Sequence, residues 1–314
     1  MINIASELFK FRHMRTLNIL LPILIIGFSC QTSSQNNDAK NDLPVIQTIL
    51  KANKYAVDSA DIAIYNKIIT FAKDSSLETK SYSEIEIAVA NQLLGTPYVG
   101  KTLEKDSIES LVINLRELDC TTFVENVLAI SMCIKNKSTS FEEYCEALLK
   151  LRYREGKIDQ YPSRLHYTTD WLLDNQKKGI IEIVSEMFGS DNFDASVNFM
   201  STHPQFYKQL SNNQFVNQMK EHEIRISASK LKFVQKSKIN EVSKFIKDGD
   251  MIAISTTIPG LDFSHMALAE WKNGRLYFIN ASSREKKVVL SDKTLFDYMA
   301  GMKNNDGIVV ARLK

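Results

Sequence analysis

The chain has 314 residues, 44% hydrophobic and 24% charged, which is enough for a sizeable core and excludes a collagenous or wholly disordered polymer. Thirty-nine Lys and Arg stand against 37 Asp and Glu, a net charge of +2, and with no long basic run a nucleic-acid surface is not expected. Near the N-terminus, Met14-Arg15 precedes an apolar run from Ile19 to Phe28 and then Ser29-Cys30. The run is short for a bilayer span and has the form of a signal peptide, with Met14 as the expected start of translation and residues 1–13 an upstream extension. The small residues before Cys30 and the polar QTSSQNNDAKND after it resemble a bacterial lipoprotein signal, although Gly27 stands where that motif prefers Leu and ordinary signal-peptidase cleavage stays open. The expected organisation is a signal peptide over 1–30 with Cys30 as lipidation site, a flexible tether over 31–43, and a single domain over 44–314 elaborated at about 140–240. Such a protein would be exported to the periplasm or cell envelope.

Apolar residues recur at helical spacing from Leu43 to about Ala72, and a second helix is signalled by Ser83 with Glu86, by Ile85, Val89 and Leu93, and by Gly95 as its stop. A punctuated loop, GTPYVGKTLE, carries Tyr98. In LDCTTFVENVLA, Phe123, Val124, Val127 and Leu128 share one helical face, and Thr122 followed by Glu125 has the form of a capping box. Cys120 then sits just outside the first turn, where unpaired N–H groups and the helix dipole favour a thiolate. A buried structural cysteine is the competing reading. With Cys30 set aside, Cys120, Cys133 and Cys145 form neither a disulfide framework nor a zinc ribbon, and the latter two read as core residues.

Ser140 with Glu143 caps the next helix. The segment RYREGKIDQYPSRLHYTTDW then gathers Arg152, Arg154, Arg164, His166, three tyrosines and Trp171 without clean periodicity, as either a ligand-binding wall or a core edge. A helix is expected to open at Pro204. From Asp250 the period changes to strands, MIAISTTI, FSHMALAEW, RLYFINA, KKVVL and GIVVARL, which after the helices makes an α+β fold with a mainly antiparallel sheet.

Asn273-Gly274 between two alternating runs marks a two-residue hairpin turn. Lys272 then faces Arg275 and Ala267 faces Asn280, so His265 and Asn280 become diagonal neighbours on one face. The chain thus offers a cysteine at a helix start, a histidine on a strand and a polar orienter on the adjacent strand. The remaining histidines, His166, His203 and His222, show neither HExxH nor Cys/His spacing, so no metal or other cofactor is expected.

Together GTPYVGKTLE, NLRELDCTTFVENVLA, SRLHYTTDW, GLDFSHMALAE, FINASS and GIVVARL, in that order, resemble the N-acetylmuramoyl-L-alanine amidase-like family. That family belongs to the NlpC-type branch of papain-like bacterial cell-wall cysteine hydrolases. The resemblance covers roughly Ser83 to the end. It implies a papain-like core with the nucleophilic Cys120 at the start of a helix packed on the sheet, His265 as base and acid, and Asn280 as orienter. Relatives often carry His at the third position. It further implies Tyr98 near the sulfur, Arg164, His166, Tyr167 and Trp171 along the substrate cleft, and peptidoglycan fragments, specifically anhydro-muropeptides, as partners of a monomer. The alternatives are an endopeptidase cutting between γ-D-Glu and the diamino acid, a thioester-forming acyltransferase, and a non-catalytic lipoprotein that binds wall fragments.

Overall fold

The computed structural model describes residues 57–194 and 196–314. The signal segment, Cys30, the tether and the first part of the helix expected from Leu43 lie outside the described residues. Four helices come first: α1 (Ser59–Asp74), α2 (Tyr82–Gln92), α3 (Cys120–Lys135) and α4 (Phe141–Arg152). After them run α5 (Thr168–Lys177), β1 (Ile181–Glu182), β2 (Asp191–Phe193), α6 (Phe199–Thr202), α7 (Asn213–Ser227) and β3 (Leu231–Gln235). The C-terminal part holds β4 (Met251–Ser255), β5 (Phe263–Lys272), β6 (Arg275–Ser282), β7 (Lys287–Leu290), α8 (Leu295–Ala300) and β8 (Gly307–Leu313). The strands form one sheet in the order β2-β3-β8-β4-β5-β6-β7, with β1 also on β8 and every pair antiparallel. This is the expected α+β architecture. Among the described residues no helix is long and apolar enough to cross a membrane.

Alternation along the strands gives the sheet two apolar faces. Ala253, Met266, Leu268, Ile279, Ala281, Val309 and Ala311 join the helices in the main core, while Ile252, Ile254, Ala267, Ala269, Phe278 and Val310 belong to a second cluster that includes Leu295 and Met299 of α8. The helix α3 lies within the main core. Its residues are buried almost all the way round, Met132 and Lys135 excepted, rather than along the single stripe the sequence suggests. A helix enclosed on all sides is central to its domain. Each fully buried Phe123, Val124, Val127 and Leu128 contributes about 1.5–3 kcal/mol relative to exposure.

Two helix starts lie earlier than expected, and each shift moves a glutamate. Helix α2 is capped by Ser81 with Glu84, not by Ser83 with Glu86: the Glu84 N–H donates to Ser81 Oγ at 3.3 Å and the Ser81 N–H to Glu84 Oε2 at 2.9 Å. Glu86 is consequently buried in the following turn. Helix α3 is capped by Asp119 with Thr122, not by Thr122 with Glu125, so Cys120 is its first residue and lies inside the first turn. The Thr122 N–H donates to Asp119 Oδ1 at 2.8 Å and the Asp119 N–H to Thr122 Oγ1 at 2.9 Å. In contrast, the Ser140–Glu143 box of α4 forms as expected.

Beyond α4 the expectation fails more broadly. The aromatic segment contains α5, and the helix expected at Pro204 is a three-residue 3-10 turn, Pro204–Phe206, with the longer helix α7 capped only at Asn212. Proline suits the first turn of any helix, so it carries no information about length.

Candidate active site

The β5–β6 hairpin has the register read from Asn273-Gly274: Lys272 pairs with Arg275 and Leu268 with Ile279. Asn273 at φ 51° and Gly274 at φ 71° adopt the left-handed conformations that a type I′ turn requires. His265 and Asn280 are thereby neighbours, and His265 Nε2 lies 3.0 Å from Asn280 Oδ1. The Asn280 amide nitrogen reaches toward Val289 O on β7 at 3.5 Å, which turns its oxygen to the ring. Just before His265 the β4–β5 pairing steps from Ile254↔His265 to Ser255↔Phe263, leaving Ser264 as an extra residue in β5. Such a bulge re-aims the side chain beside it. Ser264 Oγ accepts from Asn305 Nδ2 at 2.6 Å.

The Cys120 and His265 side chains act on each other directly. With Nε2 committed to Asn280, Nδ1 is the ring atom left for the sulfur. Burial opposes ionisation of both groups, yet their mutual attraction prevails: the thiol is held below its ordinary value and the imidazole above its own. The other two described thiols behave oppositely. Burial pushes Cys133 and Cys145 up to about 12. At the start of α3 the first i to i−4 bond runs from the Phe123 N–H to Asp119 O, and the Thr122 N–H is taken by the cap. The helix itself makes no use of the Cys120 and Thr121 N–H groups. A thiol drawn toward its thiolate, an imidazole drawn toward its protonated form and backbone donors at one place can carry out acyl transfer.

A cleft of about 690 Å³, open solvent included, begins one residue from the sulfur. Thr121, Glu125, Arg152, Arg164, His166, Tyr167, Tyr207, Asp262 and Phe263 are among its lining residues. Arg164 is 5% exposed and paired with Glu104 at 2.6 Å and Glu109 at 3.1 Å. His166 Nε2 lies 3.0 Å from Tyr161 O, and burial together with Arg164 keeps its ring well below the ordinary histidine range, hence neutral. The Tyr167 hydroxyl donates to Glu223 Oε1 at 2.7 Å and accepts from the Met200 N–H at 3.0 Å, which ties α6 and α7 to the cleft wall.

Of the residues named from sequence, Cys120, His265 and Asn280 come together, and Arg164, His166 and Tyr167 share the adjoining cleft. Tyr98 is half-buried outside the cleft lining. It forms a bridge with Leu118, two residues before Cys120. Trp171 is a correction to the expected cleft line: it is 1% exposed, and its Nε1 donates to Glu125 Oε1 at 3.1 Å from within the core. Its place on the second turn of α5 turns the indole inward. Sequence reasoning missed Glu125 and Asp262 as cleft residues, while Arg152 stood in the segment read as either a ligand-binding wall or a core edge. An acidic residue among the apolar positions Phe123, Val124, Val127 and Leu128 of α3 was a usable signal, obscured by the capping role given to Glu125.

Asp262 explains how the cleft wall is fastened to the histidine strand. Tyr167, at the start of α5, makes no side-chain cap, and Asp262 Oδ2 accepts the Thr169 N–H at 2.7 Å from 93 positions away. The same loop offers Gly260 O to the Asn198 and Phe199 N–H groups. Gly260 has φ +82°, and a Cβ there would lie 2.5 Å from Asn198 Oδ1.

The AmiA-like family model, described as N-acetylmuramoyl-L-alanine amidase-like, matches residues 88–308. Among solved structures, an N-acetylmuramoyl-L-alanine amidase from Bacteroides uniformis is 40% identical with a TM-score of 0.71, covering 74% of this chain and 99% of its own. A Bacteroides fragilis protein provisionally named a xylanase is 39% identical with a TM-score of 0.69, covering 71% and 99%. A Legionella pneumophila protein of the DUF1460 family, 22% identical with a TM-score of 0.62 over 81% and 94%, shares the fold. No curated protein matches the chain.

Proposed function

Because the chain belongs to the AmiA-like, N-acetylmuramoyl-L-alanine amidase-like family, we propose that it is a peptidoglycan hydrolase that cuts the amide between muramic or anhydro-muramic acid and L-Ala through a Cys120 thioester. The observation that carries this reading is the contrast among the thiols: only Cys120 of the described three is held toward its thiolate, by His265, while burial holds the others protonated. In the first step the Cys120 sulfur attacks the lactyl carbonyl, and the oxyanion is met by the N–H groups at the start of α3. His265, protonated and oriented by Asn280, then gives its proton to the departing L-Ala amine. In the second step water attacks the thioester with His265 as base, releasing the lactyl carboxylate and restoring the pair.

A glycosidase reading suits the site less well. Glycoside hydrolysis uses two carboxyl groups flanking the bond. Here Asp119 caps α3, Glu125 and Glu104 are bound to arginines, and Asp262 accepts backbone N–H groups. The apolar run ahead of Cys30 supports export, with Cys30 as a lipid anchor, and the substrates would then be anhydro-muropeptides met at the envelope.

Product masses test the reading. The parent protein incubated with anhydro-muropeptides is expected to release a peptide with a free L-Ala amine, and Cys120→Ala to release none. Fragments beginning with the diamino acid would replace this activity with the endopeptidase alternative.

A further inference from the structure

Glu125 and Arg152 form an ion pair of 2.8 Å whose side chains are only 2% and 3% exposed, at the cleft floor. Burying two charges brings little net stability, and an apolar pair of similar volume commonly does as well. Its position is more informative than its strength. Glu125 follows Thr121 by one helical turn on the same face of α3, and Thr121 immediately follows Cys120. Thr121 Oγ1 is buried, lines the cleft and has no hydrogen-bond partner within the protein. A polar stripe therefore leads from the sulfur to the ion pair along the face of α3 that lines the cleft.

The stripe has unused capacity. Glu125 accepts from Arg152 Nε and Trp171 Nε1, out of about four acceptor positions on a carboxylate. Arg152 commits donors to Glu125 and to Val112 O at 2.6 Å, out of about five on a guanidinium. Each arginine at the floor is already paired, Arg152 with Glu125 and Arg164 with both Glu104 and Glu109, so neither guanidinium is left over as a free cation. Such a floor offers hydrogen bonds without drawing in a carboxylate. Tyr167, Tyr207 and Phe263 supply apolar walls against which a ring can lie.

We infer that the Glu125–Arg152 pair, with Thr121, reads the sugar of the substrate by hydrogen-bonding an uncharged hydroxyl or acetamido group of muramic acid. This rests on the amidase reading for the identity of the sugar. The stem peptide, which carries the carboxylates, then lies away from the floor.

The test compares two ligands on the catalytically inert Cys120→Ala protein by calorimetry: an N-acetylmuramoyl dipeptide, and the lactoyl dipeptide that lacks the sugar ring. The muramoyl ligand should bind about tenfold tighter or more, because a site built to hydrogen-bond a group rejects the analogue without it. Adding Glu125→Leu with Arg152→Met should erase most of that preference and leave the affinity for the lactoyl dipeptide within about threefold. Glu125→Gln, which keeps the shape, should reduce the preference in the same direction and serves if the double variant does not unfold cooperatively. Equal losses for both ligands, or an unchanged preference, would overturn the inference and leave the pair a structural tie. Because the readout is sugar binding to an inert protein, it stands whichever bond the active protein proves to cut.

Discussion

Cys120, Cys133 and Cys145 are all buried, and what distinguishes them is the group each one faces. Cys120 faces His265, which holds the thiol below its ordinary value while the imidazole is held above its own, so the proposed mechanism takes the thiolate–imidazolium pair as the reactive form. Activity should follow a bell in pH, lost on the acid side as the thiolate is protonated and on the alkaline side as the imidazolium deprotonates. His265→Ala leaves burial as the leading influence on Cys120, which raises the thiol, so labelling by iodoacetamide near neutral pH should fall about tenfold or more. Peptide mapping of the alkylated protein checks this, and undiminished labelling would contradict the pairing. Asn280→Ala removes one of the contacts that raise His265. Its alkaline limb should move to lower pH, and kcat should fall with little change in KM.

Among the elements, the cap of α3 sets where Cys120 stands in the first turn. Asp119→Ala removes the acceptor for the Thr122 N–H and should cost about 1 kcal/mol of stability, read from denaturant unfolding. The same change takes away a carboxylate that disfavours the thiolate, so the acid limb should shift to lower pH. Structure at this scale was legible where one residue pair settles the geometry. Asn273-Gly274 admits few turns, and the placement of His265 beside Asn280 followed from it. Capping boxes are more ambiguous, because Asp119-x-x-Thr122 and Thr122-x-x-Glu125 overlap in one stretch. Choosing the later box put Glu125 at a helix end, whereas it belongs to the cleft.

Over the whole molecule, the part that resisted reading is the stretch that long-range contacts shape. α5 takes its cap from Asp262, and the start of α6 donates N–H groups to Gly260 O, both distant in sequence. Short turns held this way have no local periodicity to display. Another distant contact sets the pH response of stability. Glu86 is 2% exposed against Gly249, and burial and then Asp250 push its carboxyl well above the ordinary range. A folded pKa raised above the unfolded one means that its stabilising effect is fully present below the unfolded value and is lost as pH rises through the folded value. Glu86→Gln should therefore gain in Tm relative to the parent as pH rises above the ordinary carboxyl range, and a constant difference would contradict the buried-acid account. Gly249→Ala meets φ +80° and a Cβ only 2.5 Å from Glu86 Oε2, so it should lower Tm at every pH.

The central claim is that Cys120 takes up the muramoyl group, and trapping the acyl-enzyme tests it most directly. The protein mixed with anhydro-muropeptide is quenched in acid within its first turnovers, and the Cys120 peptide is weighed by mass spectrometry. The account predicts an adduct with the mass of the anhydro-muramoyl group, absent from Cys120→Ala. An adduct ending in the γ-D-glutamyl acyl group, or turnover with Cys120 never modified, would contradict it.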